Sequence, residues 1–169
     1  LTYDGKAQSD SGYVVQGLLG NDSIRAVVTG IITFPGQSPV TNTLESYSFI
    51  TGDANNYSVT KVNGELKMTN AAVAITLKAA SGEWTYDGSA HTANVVTLTN
   101  GSLLTGDELV ATTTGSVTNV SDTYTGNNQV ATFMIKHRTQ NVTANYVVTT
   151  ESGTLIINPK AVTVKAQNK

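Results

Sequence analysis

Along most of this chain apolar and polar positions alternate one for one, the period of a strand that buries a single face. Val73, Ile75 and Leu77 fall on one side of such a strand, with Ala74, Thr76 and Lys78 on the other, and Val162 and Val164 repeat the pattern with Thr163 and Lys165. Strands are predicted over 14–19 and 95–98, which stop at Gly20-Asn21-Asp22 and before Gly106-Asp107, and over 24–29 and 109–114, so that each pair reads as a hairpin. Leu44, Tyr47 and Phe49, matched in the second copy by Val130, Phe133 and Ile135, alternate imperfectly by one step, which allows a bulge in the strand of Leu44–Phe49. Tyr57 and Val59 lead through Asn63-Gly64 to Leu66 and Met68, and Asn-Gly between alternating segments is the usual signal of a hairpin. Tyr146 and Val148 lead in the same way through Glu151-Ser152-Gly153 to Leu155 and Ile157. Leu1-Thr2-Tyr3 and Glu83-Trp84-Thr85-Tyr86 are short strands, each ending on an Asp-Gly that supplies the positive φ of a tight turn. Nowhere do apolar residues keep a period of 3.6 for three turns, so very little helix is expected.

These predicted elements occur twice. Tyr3-Asp4-Gly5 returns 83 residues later as Tyr86-Asp87-Gly88, Thr29-Gly30 returns after 85 as Thr114-Gly115, and Asn42 after 86 as Asn128. Asn56-Tyr57 and Gly64 return after 89 as Asn145-Tyr146 and Gly153. An offset that only grows, in small steps, is what loop insertions between fixed elements leave behind, so the chain reads as two copies of one module. The strand of 72–79 returns at 161–166, which places it either at the close of the first module or at the opening of the second. The expected division is 1–79 and 80–169, with 72–79 as the piece that could move across. The phase of the copies suggests a segment of a longer tandem array.

Composition adds a surface and removes several roles. Only 13% of residues are charged, the net charge is -2, and the ten Lys and Arg are scattered singly, so no basic stripe for nucleic acid is present. No apolar run approaches the length of a membrane-spanning helix and no charged-then-apolar leader stands at the start, so no membrane insertion is expected of this segment. Without cysteine there is neither a disulfide framework nor a thiolate metal site. Abundant Thr, Val, Asn, Ser and Gly describe strands with hydroxyl-rich outer faces joined by tight turns, a profile that bacterial surface proteins often share.

Candidate chemistry is sparse. His91 and His137 both fall in the second copy, whereas a site belonging to the module would recur, and His137 in Lys136-His137-Arg138 reads as a solvated strand end. Asp4, Asp87, Asp22 and Asp107 recur in pairs, but Asp beside Gly in a turn is explained by its hydrogen bonds to nearby backbone. The loop of residues 51–56 is rich in oxygen, yet its counterpart at 139–144 has no acid, so no metal is assigned. Asn21, Asn56, Asn100, Asn119 and Asn141 fit the glycosylation acceptor pattern, which this composition generates freely. A Lys-Asn isopeptide has no nominable pair. Two aromatics are candidate ligand-binding residues: Tyr124, in the divergent loop 121–128 opposite Pro-flanked 34–40, and Trp84, for which core packing is the competing reading.

The punctuation itself carries a resemblance. Leu-Thr-Tyr-Asp-Gly and Trp-Thr-Tyr-Asp-Gly, the Gly-Asp turns, Ala-Asn-Tyr and Ala-Val-Thr-Val-Lys-Ala are similar to the tandem YDG/MBG-type repeats of bacterial extracellular proteins, over nearly the whole chain. The resemblance implies an all-β fold of two similar tandem β-sandwich (Ig-like) modules placed end to end on the bacterial cell surface. It implies a non-catalytic stalk or spacer in an adhesin-like array, or alternatively an adhesin module that binds a glycan or host protein. No cofactor is implied; the partners would be adjacent repeats of the same chain, and the segment is expected to be a monomer.

Overall fold

A computed structural model of the chain describes residues 1–167 and contains strands with no α-helix, only four single 3-10 turns, among them. The protein is thus mostly β, as the alternation predicts. It divides into two compact units, the first Leu1–Ala71 and the second from Ala72 onward. Residues 72–79, assignable from sequence to either side, stand in the second unit.

In the first unit β1 (Ser23–Thr29) pairs antiparallel with β2 (Val40–Thr51), and β2 pairs with β3 (Gly64–Leu66). The register slips between Val27 and Val28, so Glu45 is the extra residue of the expected bulge. Around this sheet, single bridges join Thr2 to Thr69 and Gln8 to Ile32. Tyr3, Ile32, Leu66 and Met68 are buried.

The second unit holds eight strands among the described residues. They are β4 (Val73–Ala79), β5 (Gly82–Thr85), β6 (Val96–Asn100), β7 (Asp107–Thr113), β8 (Val130–His137), β9 (Gln140–Asn141), β10 (Tyr146–Glu151) and β11 (Leu155–Asn158). They form sheets in the orders β10-β4-β6, β7-β8-β9 and β11-β5. The β7/β8 register slips between Thr112 and Thr113, which makes Ala131 the extra residue, 86 after Glu45. His91 bridges Val117 as Gln8 bridges Ile32, and Asn128 bridges Gly153 as Asn42 pairs Gly64. The steps in sequence offset therefore reappear as the same pairings in space, unit by unit.

Four hairpins expected from the sequence do not form. The segment 14–19 is not a strand, and 95–98 and 109–114 do not form a hairpin, because β6 pairs with β4 and β7 with β8. Asn63-Gly64 closes no hairpin either: Asn63 instead accepts the backbone N–H of Leu44 through Oδ1 at 3.0 Å, and Gly64 enters β3. Likewise β10 and β11 separate, running parallel to β4 and to β5. Neighbouring strands in sequence go to different sheets, a choice made by distant apolar partners that local turn chemistry does not encode.

Candidate functional site

A hydrogen-bonded carboxylate and phenol recur in both units. Asp107 opens β7, and Tyr146 follows the single 3-10 turn Thr143–Asn145. The Tyr146 hydroxyl donates to Asp107 Oδ2 at 2.6 Å and accepts the backbone N–H of Leu104 at 2.9 Å. In the first unit Tyr57 donates to Asp22 Oδ2 at 2.6 Å and accepts Leu19 N–H at 3.2 Å. Burial, followed by the Asp107 hydrogen bond, pushes the Tyr146 phenol far above the ordinary tyrosine range, and the Asp22 bond raises Tyr57. These groups brace a turn against a strand. In the second unit alone, His137 Nδ1 lies 2.7 Å from Asp107 Oδ1; in the first, a Cβ on Gly52 would meet the Asp22 carboxyl at 2.4 Å, which leaves no room for a side chain. His137 is buried, which corrects its reading as a solvated strand end: it closes β8 directly opposite Asp107 in the β7/β8 register, so its ring meets the carboxylate.

His91 also has a structural counterpart. Asp87 Oδ1 accepts Ser89 N–H at 2.8 Å and lies 3.0 Å from His91 Nε2; Asp4 Oδ1 accepts Lys6 N–H at 2.9 Å and Gln8 Nε2 at 2.9 Å. Gln8 and His91 fill the same place in their copies. Both carboxyls are held below the ordinary range, Asp87 first by the Ser89 amide and then by His91, Asp4 first by the Gln8 side chain and then by the Lys6 amide. The Asp-Gly glycines share a φ of 82° in both copies, a conformation open to Gly at no steric cost. Trp84 stacks on His91 with centroids 4.9 Å apart and an interplanar angle of 19°, and packs against Val117, Leu155 and Ile157. Tyr124 is 65% exposed, and no ring contact joins it to Trp84 among the described residues.

The loops that look most divergent do the same work. Gln37 Oε1 accepts the backbone N–H groups of Thr33 and Phe34 at 2.8 Å each, and Asp122 Oδ2 accepts those of Thr118 and Asn119 at 2.9 and 2.8 Å. Ser38 and Thr123 hydroxyls then accept the N–H groups of Met68 and Ile157. The Asn119 and Thr118 amides hold the Asp122 carboxyl below its ordinary range. In the oxygen-rich loop of 51–56, Asp53 Oδ1 is taken by the backbone and side-chain nitrogens of Asn55, at 2.9 Å each. Among the described residues no group of three or more His, Asp or Glu is placed to hold a metal ion.

The units differ at one face. In the second, β4 lies between β10 and β6, parallel to the first and antiparallel to the second, and buries Ile75, Leu77 and Ala79. The corresponding rails of the first unit are 57–62 and 13–17, and no strand lies between them among the described residues. A groove of about 400 Å³ runs there instead, lined by Tyr13, Val15, Ile24, Leu44, Tyr57 and Val59 among others. The backbone groups of 13–18 and 58–62 make no backbone-backbone hydrogen bond among the described residues. No sequence motif marks the groove.

Comparison with protein-family models, with curated proteins and with solved structures finds no match for this chain.

Proposed function

We propose that the chain is a non-catalytic tandem-repeat segment of the YDG/MBG type that acts as a stalk or spacer in a bacterial cell-surface protein. Each unit is read as an Ig-like sandwich module, in the second unit with β10-β4-β6 and β7-β8-β9 as its facing sheets. The observation that carries the reading is the fate of the recurring polar residues. Asp22 with Tyr57, Asp107 with Tyr146, Asp4 with Gln8, and Asp87 with His91 spend their hydrogen bonds on one another and on neighbouring backbone. What the two copies share is therefore bracing, as a spacer needs. No helix of the described residues is long and apolar enough to cross a membrane; this leaves strand-built spans untouched.

One observation favours the second reading, an adhesin module for a glycan or host protein: the exposure of Tyr124 on the loop after Asp122, since an accessible aromatic can stack on a sugar face. A glycan array together with a panel of host surface proteins separates the two. The spacer reading expects no saturable binding by the purified chain; saturable binding abolished in Tyr124→Ala would replace it with the adhesin reading.

A further inference from the structure

We infer that Asn100-Gly101 is a self-modification site, at which the chain converts its own asparagine to aspartate and isoaspartate through a cyclic imide, while the fold holds the identical dipeptide Asn63-Gly64 unreactive. Nothing in this depends on the spacer role.

The chemistry comes first. Asn-Gly occurs twice in the chain, at 63–64 and at 100–101. With no Cβ on the following residue, its backbone nitrogen can reach the asparagine Cγ from within the same chain. A bond forms between that nitrogen and Cγ, the Cγ–Nδ2 bond breaks, and Nδ2 leaves as ammonia with the proton that the backbone nitrogen gives up. Water then opens the ring at either carbonyl. One opening gives aspartate, the other an isoaspartate whose main chain runs through Cγ. Water is the only co-reactant.

The two sites stand in different surroundings. Asn63 Oδ1 accepts the Leu44 N–H at 3.0 Å, and Gly64 is the first residue of β3, in register with Asn42 of β2. Attack there requires β3 to leave β2 and the side chain to give up its bond. Asn100 is the last residue of β6, an outer strand of the β10-β4-β6 sheet, and the β4/β6 register slips beside it, between Thr76 and Leu77. It is exposed, and neither its side chain nor the Gly101 N–H makes a hydrogen bond among the described residues. A strand end of this kind opens by fraying, without loss of the sheet.

Gly101 cannot be exchanged for a residue that would blunt the reaction. Its φ is 77°, and a Cβ there would run into the carbonyl oxygen of Ala74 in β4. The turn after β6 thus demands glycine, and the glycine is what leaves Asn100 open to attack. The first unit also has a positive-φ glycine at Gly17, with φ 88°, but Gln16 precedes it, and glutamine must close a larger and slower imide ring. Conversion at Asn100 adds one negative charge beside β4, and the isoaspartate lengthens the main chain where Gly101 packs on Ala74 and Ile75.

Incubation of the full chain in heavy-oxygen water at mildly alkaline pH, followed by peptide mapping, tests the inference. The label should enter the 100–101 peptide, as paired aspartyl and isoaspartyl products, at least about 10-fold faster than the 63–64 peptide, because Gly64 must first leave β3. In guanidinium chloride both sites lose their surroundings and the two rates should converge. Asn100→Gln alters an exposed side chain without hydrogen bonds, so it should keep the fold by circular dichroism and lose the labelled product at that position. Labelling at 63–64 as fast as at 100–101 in the folded chain, a 100–101 peptide that stays unlabelled while the denatured chain converts, or a rate ratio that survives in denaturant would each overturn the inference. Glycan binding does not enter these readouts, so failure here and failure of the spacer reading are separate results.

Discussion

The second unit closes its face with a strand that the first meets with a groove, and nearly everything else about the two is shared. Both hold a β-bulge at the same step, both brace a turn with an Asp-Tyr pair, and both stop their variable loop with one side chain on two backbone amides. The difference travels through the core. Ile135 and Tyr146 are buried beside β4, whereas Phe49 and Tyr57 at the matching places keep part of their surface. One central strand thus separates a finished module from one that offers its edge.

The largest expected effect comes from that strand. Leu77 has no exposed surface, so Leu77→Ala should cost the second unit about 2–5 kcal/mol, read by chemical denaturation with Trp84 fluorescence as its reporter. The first unit should keep its amide spectrum. A loss shared equally by both would erase the contrast.

Next stands a pair of buried asparagines. Asn128 accepts Gly115 N–H through Oδ1 and donates to the carbonyls of Ala80 and Ala93, whereas Asn42 donates to Asp10 and its Oδ1 has no partner. Asn128→Ala should therefore cost about 2–3 kcal/mol and Asn42→Ala less than about 1 kcal/mol, since removing an unpaired buried acceptor relieves its desolvation. Equal losses would mean that the two sites are braced alike.

A smaller contrast separates the phenols. Tyr146→Phe leaves Asp107 Oδ2 and Leu104 N–H without their shared partner, for about 1–3 kcal/mol by thermal melting, and the more open Tyr57→Phe should cost less. The folded-state value of Tyr146 is raised, so its contribution is complete below the unfolded tyrosine value of about 10 and is lost as pH rises through the folded one. Alkaline melts of the wild type should fall across that window, and those of Tyr146→Phe should be flatter.

The smallest effect sharpens the loop comparison. Asp122 and Gln37 do the same job, but only Asp122 titrates. Its folded value is depressed, so its stabilisation is present above the unfolded aspartate value of about 3.9 and is lost as pH falls through the folded value. The Thr118 and Asn119 amide shifts should follow that titration, while those of Thr33 and Phe34 stay flat.

How far the sequence reaches can be read from particular residues. The duplication, the bulge at Glu45 and the Asp-Gly turns were legible because each is written in local spacing. Partnership was not: Asn63-Gly64 has the chemistry of a hairpin, yet what its flanking segments pair with depends on residues more than twenty positions away, and β4 draws β10 and β6 apart from their neighbours. The divergent loops misled in the other direction, since an amide and a carboxylate can cap the same two N–H groups. The His137 contact and the groove needed coordinates, because both follow from what stands beside a residue in space.

Site-resolved hydrogen exchange of the dilute full chain tests the central contrast most directly. Amides of 75–79 and of 146–151 facing β4 should be protected by orders of magnitude, while those of 58–62 and 13–18 exchange near the rate of open chain. Equal protection of 58–62 and 147–151 under dilute conditions would contradict it, because the first unit would then already hold a strand in its groove.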